Sequence, residues 1–470
     1  MKKIFCTLIL LFLAISSFAQ TIIGTWYGVL KVQGTAINLV FHIAKNDTAY
    51  TSTMDSPDQG AKGLAANKTD FTGNQLTIDL SKFGIKYTGA FKPDSNIITG
   101  TFMQGALRLP LNLSSKESTE VAQQPARPQD PKDFPYKQEE VTFTDTKGGN
   151  QLAGTLTMPA SGHASKIVIL ITGSGPQNRN EELVPFNHRP FLVWSDWLTR
   201  HGIAVLRYDD RGVAKSTGDF QAATTADFAN DAEAAVNYIK SRNDLKGLAI
   251  GLMGHSEGGI VAPLVASRNK SVKFVVMLAG PGVPIVELMT RQTADQLKLN
   301  GVSPEIIKLS TQTNLKLYTA AIRYNNLPDD AFKLKLDSIL YNDFKTYPAD
   351  ALGNQKPDDI VKRAVAEISS PWFRYFVTID PASYLTKVKC PVLAIDGTLD
   401  MQVNAESNLA AIKKALDAAG NKNNTEVDLP YLNHLMQKAQ TGAVSEYKTI
   451  EETVDPVALQ SVSGWINKLP

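Results

Sequence analysis

The run Leu248 to Met253 is apolar, the next six residues are Gly254-His255-Ser256-Glu257-Gly258-Gly259, and Ile260-Val261-Ala262 resumes with residues that a helix accepts. Strand, glycine-framed serine and helix leave few architectures open. A serine on so tight a turn takes strained backbone geometry, and only glycines on either side let strand and helix approach each other. The strain presents the hydroxyl at the end of a sheet. The Gly-x-Ser-x-Gly pattern therefore predicts a nucleophile elbow resting on strands and helices in alternation.

The surrounding chain has that texture. From about residue 135, short runs rich in β-branched residues recur: Ile167 to Ile171, Ile203 to Leu206, Leu248 to Met253, Phe274 to Leu278 and Val392 to Ile395. Such runs fit parallel strands buried on both faces. Between two of them Phe228, Ala232, Ala235, Val236 and Ile239 recur at helical spacing, and Thr224 with Asp227 forms a capping-box signature ahead of them. The alternation implies a doubly wound, mostly parallel α/β domain over residues 135–470. Between Leu278 and Val392 it is interrupted by about 110 residues, mostly helical in pattern, and an insertion of that length is usually a lid or subdomain. Residues 284–380 are expected to form a helical cap.

The N-terminal part reads differently. Lys2 and Lys3 precede the apolar stretch Ile4 to Ile15, and Ser16, Ser17 and Ala19 lead to Gln20, which predicts a secretory signal peptide over residues 1–20. The stretch is about 12 residues long, short of the roughly 20 that a spanning helix needs. The expectation is export to the periplasm or beyond, with no stable membrane insertion after cleavage. Without Lys2 and Lys3, 46 basic residues face 46 acidic ones, so no basic field remains to draw nucleic acid or anionic lipid. Cys6 leaves too. Cys390 is then the only thiol and no intrachain disulfide can form; next to Pro391 at the start of a strand, it reads as a buried structural cysteine.

Residues 21–114 alternate short apolar-polar segments with turn signals, as in Thr77-Ile78-Asp79-Leu80 and Lys86-Tyr87-Thr88-Gly89-Ala90-Phe91. Seven such segments predict an all-β unit, a small barrel or curled sheet of seven or eight strands. Gly24-Thr25-Trp26-Tyr27-Gly28 resembles the first strand of small lipocalin-like barrels. Residues 115–134 are polar and carry Pro125, Pro128 and Pro131, the composition of an interdomain linker.

A serine hydroxyl is a poor nucleophile near neutral pH and needs a base within hydrogen-bond reach and an acid to orient that base. Only His434 among the six histidines follows Ser256, in a loop after the strand-like Glu426 to Leu429. It is expected to be the general base. His42, His163 and His201 have structural explanations; His188 is a weaker candidate for a substrate contact, and His255 is expected to point away from the serine and pack. Asp396 and Asp400 compete for the acid. Asp400 is favoured because a side chain several residues into the loop can turn back to meet an imidazole. An oxyanion needs two backbone donors: the Glu257 amide, and one from the glycine loop Thr172 to Pro176, where Ser174 is preferred and Gly175 is the alternative. That loop lacks the lysine of a P-loop. Trp372 and Phe373 are candidates to line an acyl pocket or to be core.

Together Gly173-Ser174-Gly175-Pro176-Gln177-Asn178-Arg179-Asn180-Glu181, Tyr208-Asp209-Asp210-Arg211-Gly212-Val213-Ala214-Lys215-Ser216, Gly254 to Gly259, Pro371-Trp372-Phe373-Arg374-Tyr375-Phe376, Asp400 and His434 resemble the bacterial α/β-hydrolases related to a thermophilic carboxylesterase. The resemblance extends more distantly to dienelactone hydrolases and prolyl-oligopeptidase-like peptidases, and covers residues 136–469. It implies a triad of Ser256, Asp400 and His434 and hydrolysis of short-chain carboxylic esters, with no metal or organic cofactor. A peptidase or acyltransferase with the same triad is the alternative within that chemistry. A ligand-binding β-barrel carrying an inert hydrolase domain is the alternative outside it.

Overall fold

The computed structural model describes residues 22–32, 35–47, 49–57, 61–104, 107–117, 125–348 and 357–470. The expected signal peptide lies outside the described residues, as do residues 118–124 of the expected linker and 349–356 of the expected cap. The chain separates into two compact units, Met1–Ala122 and Gln123–Pro470.

The first unit is antiparallel throughout. Its strands are β1 (Gly24–Val32), β2 (Thr35–Asn46), β3 (Ala49–Ser56), β4 (Ala61–Ala65), β5 (Lys68–Thr72), β6 (Gln75–Leu80), β7 (Ile85–Lys92), β8 (Ile97–Gln104) and β9 (Leu107–Ser114). They run in the order β2-β1-β9-β8-β7-β6-β5-β3, and pairing of β2 with β3 closes the ring into an eight-stranded barrel; β4 adds to β3 outside it. Closure leaves those eight strands without a free edge. Every second residue points inward, so Leu76, Ile78 and Leu80 of β6 meet Ile85, Tyr87 and Phe91 of β7 in the interior. Trp26, Phe41 and Phe102 help to fill it. The buried Tyr87 hydroxyl donates to the carbonyl of Leu111 at 3.1 Å. Strands β4 and β5 escape the sequence reading because Lys68-Thr69-Asp70-Phe71-Thr72 carries a single large apolar residue and Gly63 interrupts β4.

The second unit is built on an eight-stranded sheet of β10 (Lys137–Thr144), β11 (Gln151–Met158), β12 (Lys166–Ile171), β13 (Ala204–Tyr208), β14 (Ala249–His255), β15 (Val272–Leu278), β16 (Val392–Gly397) and β17 (Asn424–Leu429). Their spatial order is β10-β11-β13-β12-β14-β15-β16-β17. Strands β10 and β11 are antiparallel additions at one edge, and β13 to β17 run parallel with β12. Helices α1 (Pro190–Arg200), α2 (Thr225–Ser241), α3 (Gly258–Arg268), α4 (Ile285–Leu299), α5 (Pro304–Arg323), α6 (Asp329–Phe344), α7 (Pro357–Ile368), α8 (Pro371–Phe376), α9 (Ala382–Leu385), α10 (Ala405–Ala418) and α11 (Pro456–Lys468) complete it.

The central strands are buried on both faces, as their β-branched runs require. Along β12, Ile167, Ile169 and Ile171 pack with α2, α3 and α10, whereas Val168 and Leu170 pack with α1 and α11. The capping box forms at the start of α2: the Thr224 amide donates to the Asp227 carboxylate at 2.9 Å, and the Asp227 amide to the Thr224 hydroxyl at 3.4 Å. Helices α4 to α8 lie between β15 and β16, and α5 to α8 share an apolar cluster of their own around Leu317, Phe332, Leu336, Val361 and Phe373. The proline-bearing segment after Pro125 belongs to this second unit. Arg127, 7% exposed, donates to the carbonyls of Phe186 at 2.7 Å, Asn187 at 3.1 Å, Ile450 at 2.6 Å and Glu452 at 2.9 Å.

Candidate active site

Ser256 follows β14 with φ of 53°, in the left-handed region that a non-glycine residue enters only under strain. Its amide donates to the Leu278 carbonyl at 2.9 Å, which pins the turn to the end of β15. The framing glycines are contact surfaces. A Cβ on Gly254 would overlap the Gly258 carbonyl, one on Gly258 would overlap the Ile171 carbonyl, and one on Gly259 would lie 2.6 Å from Gly280 Cα.

Asp400 lies three residues beyond β16. Its Oδ1 accepts the amides of Gln402 at 2.7 Å and Val403 at 2.8 Å, and its Oδ2 lies 2.6 Å from His434 Nδ1. A carboxylate only accepts, so the proton of this contact sits on Nδ1 and Nε2 is left as the acceptor. The loop carrying His434 is zipped to the loop carrying Asp400: Thr398 N donates to Leu429 O and Leu399 N to Leu432 O, both at 2.9 Å. Among the described residues no hydrogen bond joins Ser256 Oγ to His434 Nε2. Catalytic contacts in ligand-free enzymes are often long until substrate tightens them.

Asp396 is not beyond the strand, as the sequence reading placed it, but inside β16. It is buried; Oδ1 accepts the Gly397 amide at 2.7 Å and Oδ2 has no hydrogen-bond partner among the described residues. Burial, and the Asp400 charge beside it, push its carboxyl well above the ordinary range. It makes no contact with His434 among the described residues.

The glycine loop is held by the Tyr208–Ser216 motif. Thr172 Oγ1 donates to Asp210 Oδ1 at 2.7 Å and the Gln177 amide to Asp210 Oδ2 at 3.0 Å, so one carboxylate brackets the loop. Asp209 holds its far end, taking the Arg179 amide at 2.8 Å and pairing with the guanidinium at 2.8 Å. The loop lies against the elbow: a Cβ on Gly173 would be 3.2 Å from Ser256 Cβ. The Gly173 amide is committed to Glu181 Oε1 at 2.8 Å. The amides of Ser174, Gly175 and Glu257 have no acceptor among the described residues.

Three readings change. His255 does not merely pack: Nδ1 is 2.9 Å from Glu181 Oε1, Nε2 is 2.9 Å from the His434 carbonyl, and the His255 and His434 rings are 4.9 Å apart. Glu181 joins it from a loop 74 residues away, and its only sequence signal was membership of the glycine-loop motif. His188 is fully buried with neither ring nitrogen partnered among the described residues, and burial followed by the Arg127 and His255 charges pushes its pKa well below the ordinary value. It faces no solvent through which a substrate could reach it. Phe373 is core, but half-buried Trp372 donates to Glu257 Oε1 at 2.9 Å and Oε2 at 3.1 Å. The Thr225 hydroxyl also donates to Glu257, at 2.6 Å. Burial raises the Glu257 carboxyl to about 7 against the pull of these two donors. The other histidines are structural: His42 pairs with Asp55 at 3.0 Å, His163 lies in a turn and His201 stacks on Trp197.

In chain order within the sheet, the serine follows the fifth strand, the carboxylate the seventh and the histidine the eighth, all at the carboxyl ends of parallel strands, and the sheet as a whole has the order 1-2-4-3-5-6-7-8. The second unit has the α/β-hydrolase fold. A family model described as serine aminopeptidase, S33, matches residues 192–326 of this hydrolase unit. The chain is similar to esterase EstD of Thermotoga maritima, 26% identical over 322 residues that cover 68% of this chain and 66% of that protein. It is also similar to the uncharacterized protein YfhR of Escherichia coli O157:H7, 26% identical over 145 residues covering 30% of this chain and 47% of that protein. The chain thus spans just under two thirds of the first relative and about half of the second. The Pyrococcus furiosus esterase Pf2001 aligns in three dimensions with 17% identity and a TM-score of 0.42, over 73% of this chain and 97% of its own. The sequence similarities support a hydrolase.

Proposed function

We propose that the α/β-hydrolase unit is a serine carboxylesterase in which Ser256 is the nucleophile, His434 the general base and Asp400 the acid that orients it. The observation that carries this reading is the 2.6 Å contact between His434 Nδ1 and Asp400 Oδ2, on loops that end beside a serine in left-handed backbone geometry. His434 Nε2 takes the Ser256 proton as Oγ attacks the ester carbonyl. The resulting oxyanion is received by the Glu257 amide and by that of Ser174, or of Gly175 next to it; each such donor is worth about 3 kcal/mol. His434 returns the proton to the leaving alcohol, and the acyl-enzyme is then hydrolysed by water activated at the same nitrogen. The Trp372 contact to Glu257, which brings helix α8 against the elbow, supports the reading that a cap limits the acyl chain to short esters. The resemblance and the similarity to EstD support an ester as the substrate.

A peptidase is the second reading, favoured by the serine aminopeptidase description of the matching family model. The elbow fixes acyl transfer and leaves the leaving group open. A fluorophosphonate probe is expected to label the wild type and not Ser256→Ala; an unlabelled wild type rejects both readings. Nitrophenyl esters of increasing chain length, run beside an aminoacyl nitroanilide, separate them: turnover of the short esters alone supports the esterase. The residues 1–20 pattern supports export of the enzyme, and N-terminal sequencing of the secreted product tests cleavage near Ala19 or Gln20.

A further inference from the structure

His255 has two ring nitrogens and each faces an atom that accepts. A backbone carbonyl, that of His434, can only accept from Nε2, at 2.9 Å. Glu181 Oε1 lies 2.9 Å from Nδ1 and takes the Gly173 amide at 2.8 Å as well. With the carboxylate ionised, both ring nitrogens must carry protons. We propose that His255 is a positioning residue, an imidazolium held by Glu181 that ties the glycine loop to the loop carrying His434 beside the nucleophile elbow.

Three pieces of the reaction centre from distant parts of the chain meet on this one ion pair. Glu181 sets the Gly173 amide, and the next residue is the oxyanion candidate Ser174. His255 directly precedes Ser256, and its Nε2–H holds the backbone of His434. Among the described residues no hydrogen bond joins His434 or Asp400 to Ser256, so the distance between base and nucleophile is set by the frame around them. The His255 to His434 bond is the one described hydrogen bond running from the elbow to the base. Burial works against a charge on His255, but the Glu181 charge and hydrogen bond, the His434 carbonyl and the Asp400 charge outweigh it and raise its pKa above the ordinary value. The other groups facing it are the His434 ring and His188, which burial keeps neutral. Glu181 itself is 3% exposed and has φ of 52°, a strained backbone that the fold keeps for this contact.

The sign of the pH dependence follows. The clamp is whole while His255 is charged and is lost as pH rises through its raised pKa, so it sets an alkaline limit on turnover. In Glu181→Gln the amide oxygen can still take the Gly173 proton, but the charge is gone and burial acts unopposed. The alkaline limb of kcat should then move down by about one pH unit or more. At neutral pH kcat should fall about 10- to 100-fold while KM changes by less than about threefold, since the loss is one of alignment. Glu181→Asp should recover part of both.

The effect on turnover rests on the proposed acyl-transfer reading; the charge of His255 does not. The decisive measurement is nitrogen-15 NMR of histidine-labelled wild-type protein, with the His255 signals assigned by their loss in His255→Asn. Two protonated ring nitrogens at pH 7 are expected. One protonated nitrogen would overturn the proposal, as would a Glu181→Gln pH profile superimposable on the wild type. Should Glu181→Gln fail to fold, the wild-type spectrum still decides. If fluorophosphonate leaves the wild type unlabelled while His255 is doubly protonated, the ion pair stands and the esterase reading falls.

Discussion

At the scale of single residues, the two aspartates after Ile395 show how environment divides labour between identical side chains. Asp400 accepts two amides and the His434 proton; Asp396 is buried, one of its oxygens has no partner among the described residues, and its carboxyl is pushed well above the ordinary range. Asp400→Asn should therefore remove the acceptor that fixes the His434 tautomer and lower kcat by about 10⁴-fold, the scale seen when a triad acid is neutralised. Asp396→Asn keeps the shape and the oxygen that takes the Gly397 amide, and should stay within a few-fold of wild type on nitrophenyl acetate. Glu257 makes a separate prediction about stability. Its folded carboxyl keeps its proton up to about pH 7, against a reference of 4.5, so the folded state binds the extra proton between those values. Its contribution is fully present below pH 4.5 and is lost as pH rises through 7, a penalty of up to about 3 kcal/mol. Glu257→Gln keeps an oxygen for Thr225 and Trp372 without the charge. In thermal melts it should match the wild type at pH 4 and exceed it at pH 8.

At the scale of elements, the strand β14, the elbow and helix α3 behave as one piece because the glycines are where backbones touch. Gly259→Ala puts a methyl 2.6 Å from Gly280 Cα, and neither backbone can rotate away as a side chain would. The helix must back off, which should cost about 1–3 kcal/mol in denaturant melts and slow fluorophosphonate labelling. Much at this scale was legible in the sequence. The Gly-x-Ser-x-Gly pattern located the elbow, Thr224 and Asp227 located the start of α2, and the β-branched runs located β12 to β16. Strands β10, β11, β4 and β5 were not seen. Edge and barrel strands such as Lys137-Gln138-Glu139-Glu140-Val141 put polar residues on a wet face and carry too few apolar ones to stand out from loops. The Glu181–His255 pair was hidden for another reason: a contact over 74 residues exists only once β12 and β14 lie side by side, and no local pattern encodes it.

At the scale of the whole molecule, the two units have separate apolar cores, one around Trp26, Phe41 and Tyr87, the other divided between the faces of the hydrolase sheet. Cores that belong to different compact units unfold as separate cooperative units. Calorimetry should resolve two transitions, and a fragment of Gln123–Pro470 should keep only the transition that fluorophosphonate labelling shifts. Arg127 has a consequence of a different kind. It stands at the threshold of the hydrolase unit, yet three of its five carbonyl partners, Tyr447, Ile450 and Glu452, lie more than 300 residues further along the chain. A chain emerging N-terminus first meets Phe186 and Asn187 early and must wait for the other three. Until that later stretch arrives, a buried guanidinium lacks most of its acceptors, so Arg127 ties the completion of the hydrolase unit to residues far along the chain.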